Sequence, residues 1–153
     1  MMFKYLAILM LSTSASTCNQ VLTKESQNSQ VVGKLNIQQD PSQLHDIWAL
    51  RELVGDLVDT TNFPLGTPTL EIFVKEMRLG GFSGCNNYGA TIDTLTATQL
   101  RIGSIMATKK YCFDVKEKVY FELLAKCNTY KIEKLYLFLY ENNRLLLTFK
   151  KVD

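Results

Sequence analysis

The chain has 153 residues, 46% of them hydrophobic and 21% charged, with a formal net charge of +2. That length fits one domain of ordinary size, and the composition allows a packed core without a metal. The weak positive balance, with no basic stripe interleaved with aromatics, argues against nucleic acid as a partner.

The chain opens with one positive charge, Lys4, then a short apolar run from Tyr5 to Leu11, then small residues from Ser12 to Thr17. This is the layout of a secretory signal, and the run is too short to span a bilayer. Residues 1–17 are therefore expected to be a signal peptide. Cys18 stands where the small residues end, and this resembles the lipobox of bacterial lipoproteins, in which the cysteine thiol is acylated. The resemblance implies lipidation at Cys18, a membrane contact made through that anchor rather than by spanning, and an address in the bacterial envelope, on the outer membrane facing the periplasm.

From Asn19 to Gln43 the chain is polar and rich in Gln, Asn and Ser, and such a segment buries too little apolar surface to offset its ordering entropy. Residues 18–45 are read as the anchor and a flexible tether, with Val31, Val32, Leu35 and Ile37 as the exception that would suit a short strand. The folded domain is expected over residues 46–153.

Within it, Trp48 and Leu50 alternate with Ala49 and Arg51 in the pattern of a half-buried strand. Gly55-Asp56 punctuates that strand, and Asp59 to Pro68, with Pro64, Gly66 and Pro68, reads as a loop. Strands are predicted at Thr69 to Val74 and at Met77 to Phe82, the latter bent at Gly80-Gly81. A hairpin over Ala90–Ile92 and Leu95–Ile102 is predicted to turn at Asp93-Thr94. One helix follows, with Asp114 as its N-cap and Glu117 completing a capping box. Its apolar stripe is predicted to be Val115, Val119, Leu123 and Cys127, flanked by Tyr120 and Leu124, with Asn128 as the stop. Strands return at Tyr130–Ile132, Leu135–Tyr140 and Arg144–Lys150, the last two joined at Asn142-Asn143, residues that accept the positive φ of a tight hairpin. The run Leu135–Tyr140 is apolar on both faces, which predicts a strand covered on both sides or lining a cavity. About eight short strands and one helix in the C-terminal half predict a mainly β (α+β) fold: a small antiparallel barrel or strongly curved sheet.

The segment Phe82–Ala90, FSGCNNYGA, resembles the signature of the META/HslJ-like lipoprotein family. The resemblance continues through Ile105–Thr108, Cys112, Glu117, Tyr120 and Leu124, Thr129–Ile132, and the closing Leu145–Lys150. Upstream, Trp48, Leu50 and Pro68–Phe73 fall in family order, so it covers about Ile47 to Val152. Lys109-Lys110-Tyr111 and Cys127 depart from the family pattern. The resemblance implies a small β-rich fold of lipocalin-like character in the cell envelope, and members are associated with stress tolerance.

Four cysteines are present. The family motif carries both Cys85 and Cys112, which implies that these two form a disulfide in an oxidising compartment. Cys127, on the apolar stripe, is expected to be a buried, inert thiol. No CxxC pair exists and no histidine lies among the cysteines, so neither a metal nor a cofactor is expected.

Tests for an enzyme come out weakly. Gly81–Cys85, GFSGC, nearly matches the GxSxG elbow of α/β-hydrolases, but Cys85 replaces the last glycine and the only histidine, His45, lies upstream. The carboxylates Asp56, Glu71, Glu76, Asp93, Glu117, Glu122 and Glu133 are spread along the chain. Gly80-Gly81 with Gly84 lacks the lysine or serine of a phosphate loop. The expectation is a non-enzymatic envelope module that binds a hydrophobic small ligand or another envelope protein, with Asn86, Asn87 and Tyr88 as a candidate binding loop. The alternative is a small periplasmic hydrolase or protease inhibitor, in which the NNYG segment would be an exposed reactive loop.

Overall fold

The computed structural model describes residues 39–152; the expected signal peptide, Cys18 and the tether as far as Gln38 lie outside the described residues. The described part is an antiparallel sheet of ten strands with one α-helix. The strands are β1 (Ile47–Leu53), β2 (Asp56–Leu57), β3 (Thr69–Phe73), β4 (Arg78–Phe82), β5 (Asn87–Leu95), β6 (Leu100–Ile102), β7 (Met106–Ala107), β8 (Thr129–Glu133), β9 (Tyr136–Glu141) and β10 (Arg144–Lys151). Helix α1 spans Glu117–Lys126, and a short 3₁₀ turn, η1, spans Pro41–Leu44. The main path runs β6-β5-β4-β3-β1-β10-β9-β8, with β2 added to β1 and β7 to β5.

The two end strands nearly meet. Leu100 N–H donates to the Asn128 carbonyl at 3.2 Å and Tyr130 N–H to the Thr98 carbonyl at 3.0 Å, so the sheet almost closes into a barrel. This satisfies most of the edge that an open sheet leaves to water. Gln39 occupies part of what remains, its side-chain oxygen accepting from Ile132 N–H on β8.

Period-two alternation puts Trp48, Leu70, Ile72, Leu137, Leu139 and Phe149 inside, all 1% exposed or less. Two bulges adjust the phase. The β1–β10 register shifts between Leu50 and Glu52, so Leu50 and Leu53 both turn inward although they are three residues apart. The β9–β10 register shifts between Leu145 and Leu147, which buries Leu146 and Leu147 in succession.

The mainly β class with a single helix stands as expected from the residues, while several details differ. Ordered structure begins ahead of position 46: η1 falls inside the stretch read as tether, Leu44 is fully buried, and its carbonyl accepts from Trp48 Nε1 at 3.0 Å. Strand β5 does not turn at Asp93-Thr94. It continues to Leu95 through a register shift, and the turn falls between Leu95 and Leu100. The 59–68 loop contributes Phe63 to the core at 2% exposure.

The helix face is rotated from the predicted stripe. Tyr120, Leu123 and Leu124 are buried, with Cys127 just beyond the end, whereas Val119 is 41% exposed. Repeating every fourth residue drifts across a 3.6-residue helix, and Tyr120 supplies a larger apolar area than Val119. The capping box is also absent. Asp114 has φ +53, the N-cap position is Lys116, and no side chain caps it. On β9 the two faces divide by chemistry. Leu137 and Leu139 point inward, while Tyr136 and Phe138 stack on the outer wall with ring centroids 6.2 Å apart. Tyr140, further along the outer face, borders an open cleft of about 370 Å³ with Gln39, Thr98 and Tyr130.

Candidate functional site

The segment that carries the family resemblance, Phe82–Ala90, runs from the end of β4 into β5, and its Ser83–Asn86 turn joins the two strands at the end of the barrel where β1 finishes. Its local shape follows from two glycines. Gly81 has φ +150, and a Cβ there would sit 2.2 Å from the Thr69 carbonyl oxygen; Gly84 has φ +92, and a Cβ would sit 2.4 Å from the Phe63 ring. Both positions need the conformational freedom and the missing side chain that glycine alone supplies.

Between them and β5 the chain closes into a tight turn. Ser83 N–H donates to the Asn86 carbonyl at 2.8 Å, and Asn86 N–H donates to the Ser83 hydroxyl oxygen at 2.9 Å. Ser83 is fully buried and Asn86 is 2% exposed. The Glu117 carboxylate, at the first turn of α1, reaches across to this turn. It accepts from the Ser83 hydroxyl, from Asn86 N–H at 3.1 Å and from Asn86 Nδ2 at 3.0 Å. These are charge-assisted bonds to buried donors, the stronger kind.

Asn86 fastens a second segment as well. Its Oδ1 accepts from the Thr108 hydroxyl and from Lys110 N–H, both at 2.7 Å, and Nδ2 donates to the Lys110 carbonyl at 3.2 Å. A disulfide joins Cys85 to Cys112, with the Cα atoms 6.0 Å apart. The turn, the start of α1 and the 108–112 segment are thus tied at one point by a covalent bond and a side-chain network. Beneath it, Tyr88 donates to the Thr69 carbonyl at 2.8 Å, and the Tyr88 and Tyr120 hydroxyls lie 2.7 Å apart. Burial raises the pKa of both phenols, so they remain neutral donors.

This geometry corrects the exposed-loop expectation for Asn86, Asn87 and Tyr88. Asn86 and Tyr88 are buried; only Asn87 is exposed, and it begins β5 instead of projecting from a turn. Asn86 has every side-chain hydrogen-bonding direction occupied by the protein. Glu117, read as a helix cap, is instead the central acceptor. The capping pattern marked it as a residue whose carboxylate seeks N–H groups, but its partners lie 31 and 34 residues away and no local pattern points to them.

The arrangement offers no visible nucleophile. Ser83 donates into a carboxylate and has no histidine nearby. His45 stands at the other end of the molecule, against Phe73 at 6.1 Å between ring centroids. It borders an open cleft of about 500 Å³ with Asp46, Trp48, Lys134 and Lys151. Asp46 is already engaged there, with Lys151 at 2.5 Å and Ile47 N–H at 2.9 Å. Glu71 lines a smaller neighbouring cleft of about 220 Å³. The other carboxylates are dispersed: Asp93 accepts from Thr91, Glu122 pairs with Lys118 and Glu133 with Lys131. Cys127 is buried, its thiol donates to the Leu123 carbonyl at 3.2 Å, and burial pushes its pKa up to about 12. Among the described residues no group of three or more His, Cys, Asp or Glu is placed to hold a metal ion, and no helix is long and apolar enough to cross a membrane.

Residues 42–153 match the META domain family. No curated protein matches the chain. Two structures solved by NMR are similar in fold. One is 19% identical with a TM-score of 0.56, covering 73% of this chain and 94% of its own. The other, from Burkholderia xenovorans, is 21% identical with a TM-score of 0.54, covering 74% of this chain and 89% of its own. At that identity they bear on the fold alone.

Proposed function

We propose that this chain, which belongs to the META domain family, is a non-enzymatic envelope module, acylated at Cys18 and acting by contact with another envelope component in stress tolerance. The observation that supports this reading is the filled interior. Trp48, Tyr120 and Phe149 are buried in the barrel at 1% exposure or less, and an interior filled with such side chains favours contact through the outer surface over a hydrophobic small ligand held within. The strongest polar constellation, Ser83–Asn86–Glu117, is spent on holding loops together. What the domain then offers a partner is its rigid outer surface.

Acylation at Cys18 is tested by growing cells with an alkyne fatty acid. Label is expected on the wild type and absent from Cys18→Ser, with mass spectrometry locating it on the cysteine. Equal labelling of the two proteins would remove the anchor. The non-enzymatic reading is tested by screening ester, peptide and glycoside model substrates. Turnover that disappears in His45→Ala or Ser83→Ala would establish a hydrolase. The hydrolase and protease-inhibitor alternatives have less support, because Ser83 and Asn86 are buried and His45 is far from both.

A further inference from the structure

The segment from β7 to Phe113 is unusual for a small domain, since its apolar side chains face water while its backbone is tied down. Tyr111 is 89% exposed, Phe113 73% and Met106 75%. They flank the point where the chain is held most firmly: Cys112 is bonded to Cys85, and the Lys110 backbone is held on both sides by the Asn86 amide. Lys116 N–H then donates to the Asn62 carbonyl at 3.1 Å, bringing in the 59–66 loop, on which Leu65 stands 61% exposed. Lys109, Lys110 and Lys116 are exposed around the aromatics. The acids of the same segment do not cancel them. Glu117 is turned inward to Ser83 and Asn86, leaving Asp114 as the exposed acid between Phe113 and Lys116.

We propose that the Lys109–Phe113 loop is a bilayer-docking surface: Tyr111 and Phe113 enter the interfacial region while Lys109 and Lys110 contact anionic phospholipid headgroups. Aromatic side chains favour the membrane–water interface, and lysines beside them gain from the negative surface potential. The disulfide and the Asn86 clamp hold the loop in its exposed form, so little ordering entropy opposes insertion. Two weak signals, an acyl chain and a basic-aromatic loop, would together hold a protein on a membrane more firmly than either does alone. The roughly 20 residues between Cys18 and Gln39, at about 3.3–3.6 Å each when extended, are long enough to let the loop turn to the bilayer. For its role in the cell the inference rests on the envelope reading above, but its test does not need the acyl chain.

The experiment uses the full chain carrying Cys18→Ser, with vesicles of phosphatidylcholine alone or of phosphatidylcholine with phosphatidylglycerol. The single native tryptophan, Trp48, is buried at 1% exposure. A Phe113→Trp variant therefore reports on the loop, and an apolar run elsewhere in the chain cannot imitate its signal. Its emission is expected to shift to the blue, and to be quenched by brominated lipid, with the anionic vesicles. Lys109→Ala with Lys110→Ala is expected to lower partitioning onto anionic vesicles by roughly thirtyfold, the factor that two lysines near such a surface supply. Tyr111→Ser is expected to weaken binding to both vesicle types, and Tyr136→Ser, on the outer face of β9, to leave it unchanged. The melting temperature checks that each variant is folded. Emission from the folded Phe113→Trp variant that stays unshifted and unquenched overturns the proposal, and so does equal partitioning of the lysine variant. Loss of acylation at Cys18 would overturn the envelope reading and leave these results standing.

Discussion

Among single side chains, the molecule turns on Glu117. Its carboxylate satisfies a buried serine hydroxyl and two donors of a buried asparagine. Removing it leaves one Asn86 Nδ2 hydrogen without its acceptor and strips the Ser83 hydroxyl and Asn86 N–H of their bonds to a carboxylate, leaving them only the bonds within their own turn; losing a buried bond of this kind costs about 1–3 kcal/mol. Glu117→Ala is expected to destabilise by about 2–4 kcal/mol in denaturant titration, whereas Glu122→Ala, on the exposed side of the same helix, stays within about 0.5 kcal/mol. A second expectation concerns alkaline pH. The Cys127 thiol has its pKa raised by burial from 9.0 to about 12, and burial raises the Tyr88 and Tyr120 phenols as well. When the folded-state value is the higher one, the folded state holds its protons longer. The stability these groups contribute is then complete below about pH 9 and is lost as pH climbs toward 12. Unfolding free energy should thus be flat near neutral pH and fall above pH 9. Cys127 should resist alkylation at pH 8 until the protein is unfolded; rapid native-state labelling in a Cys18→Ser background would show that the thiol is not sealed.

Among the elements, the helix offers a clean contrast. The spacing named a stripe of Val115, Val119, Leu123 and Cys127 flanked by Tyr120 and Leu124; the fold buries Leu123, Cys127 and both flanking residues and leaves Val119 41% exposed, so the buried face is turned toward Tyr120 and Leu124. Leu124→Ala is expected to cost about 2–5 kcal/mol through lost burial and a residual cavity, and Val119→Ala less than about 0.5 kcal/mol. Comparable losses at the two positions would return the helix to its predicted orientation. Strand β9 makes the same point. LYLFLY reads as apolar throughout, yet its inward positions are leucines and its outward ones are aromatics that stack on the wall. Alternation places residues on two faces but does not say which face is the core when both are apolar.

Across the molecule as a unit, the Cys85–Cys112 bridge closes a loop with a sequence separation of 27. The chain-entropy relation assigns about 3–4 kcal/mol to such a loop, apart from strain. Cys85→Ser should therefore melt lower than the wild type under oxidising conditions and match it in reductant. Identical melting temperatures with and without reductant in the wild type would mean that the sulfurs are not joined in solution. Because Cys112 sits beside Tyr111 and Phe113, reduction should also loosen the proposed docking loop, visible as faster backbone amide exchange from Thr108 to Asp114 while β9 and β10 stay protected.

Side-chain alternation and turn chemistry act over two to four residues, and they were enough to read the mainly β class, the position of the single helix and most strand centres from the chain. The family resemblance added the Cys85–Cys112 pair. Long-range pairing was needed to establish that Glu117 bonds Ser83 and Asn86, that Phe63 leaves its loop for the core, that Asn86 and Tyr88 are buried, and that Tyr111 and Phe113 remain in water. Each of those outcomes depends on a partner more than 20 residues distant or on which face the closed sheet turns inward. Local periodicity carries no information about either, since the same pattern is compatible with many pairings until the barrel closes.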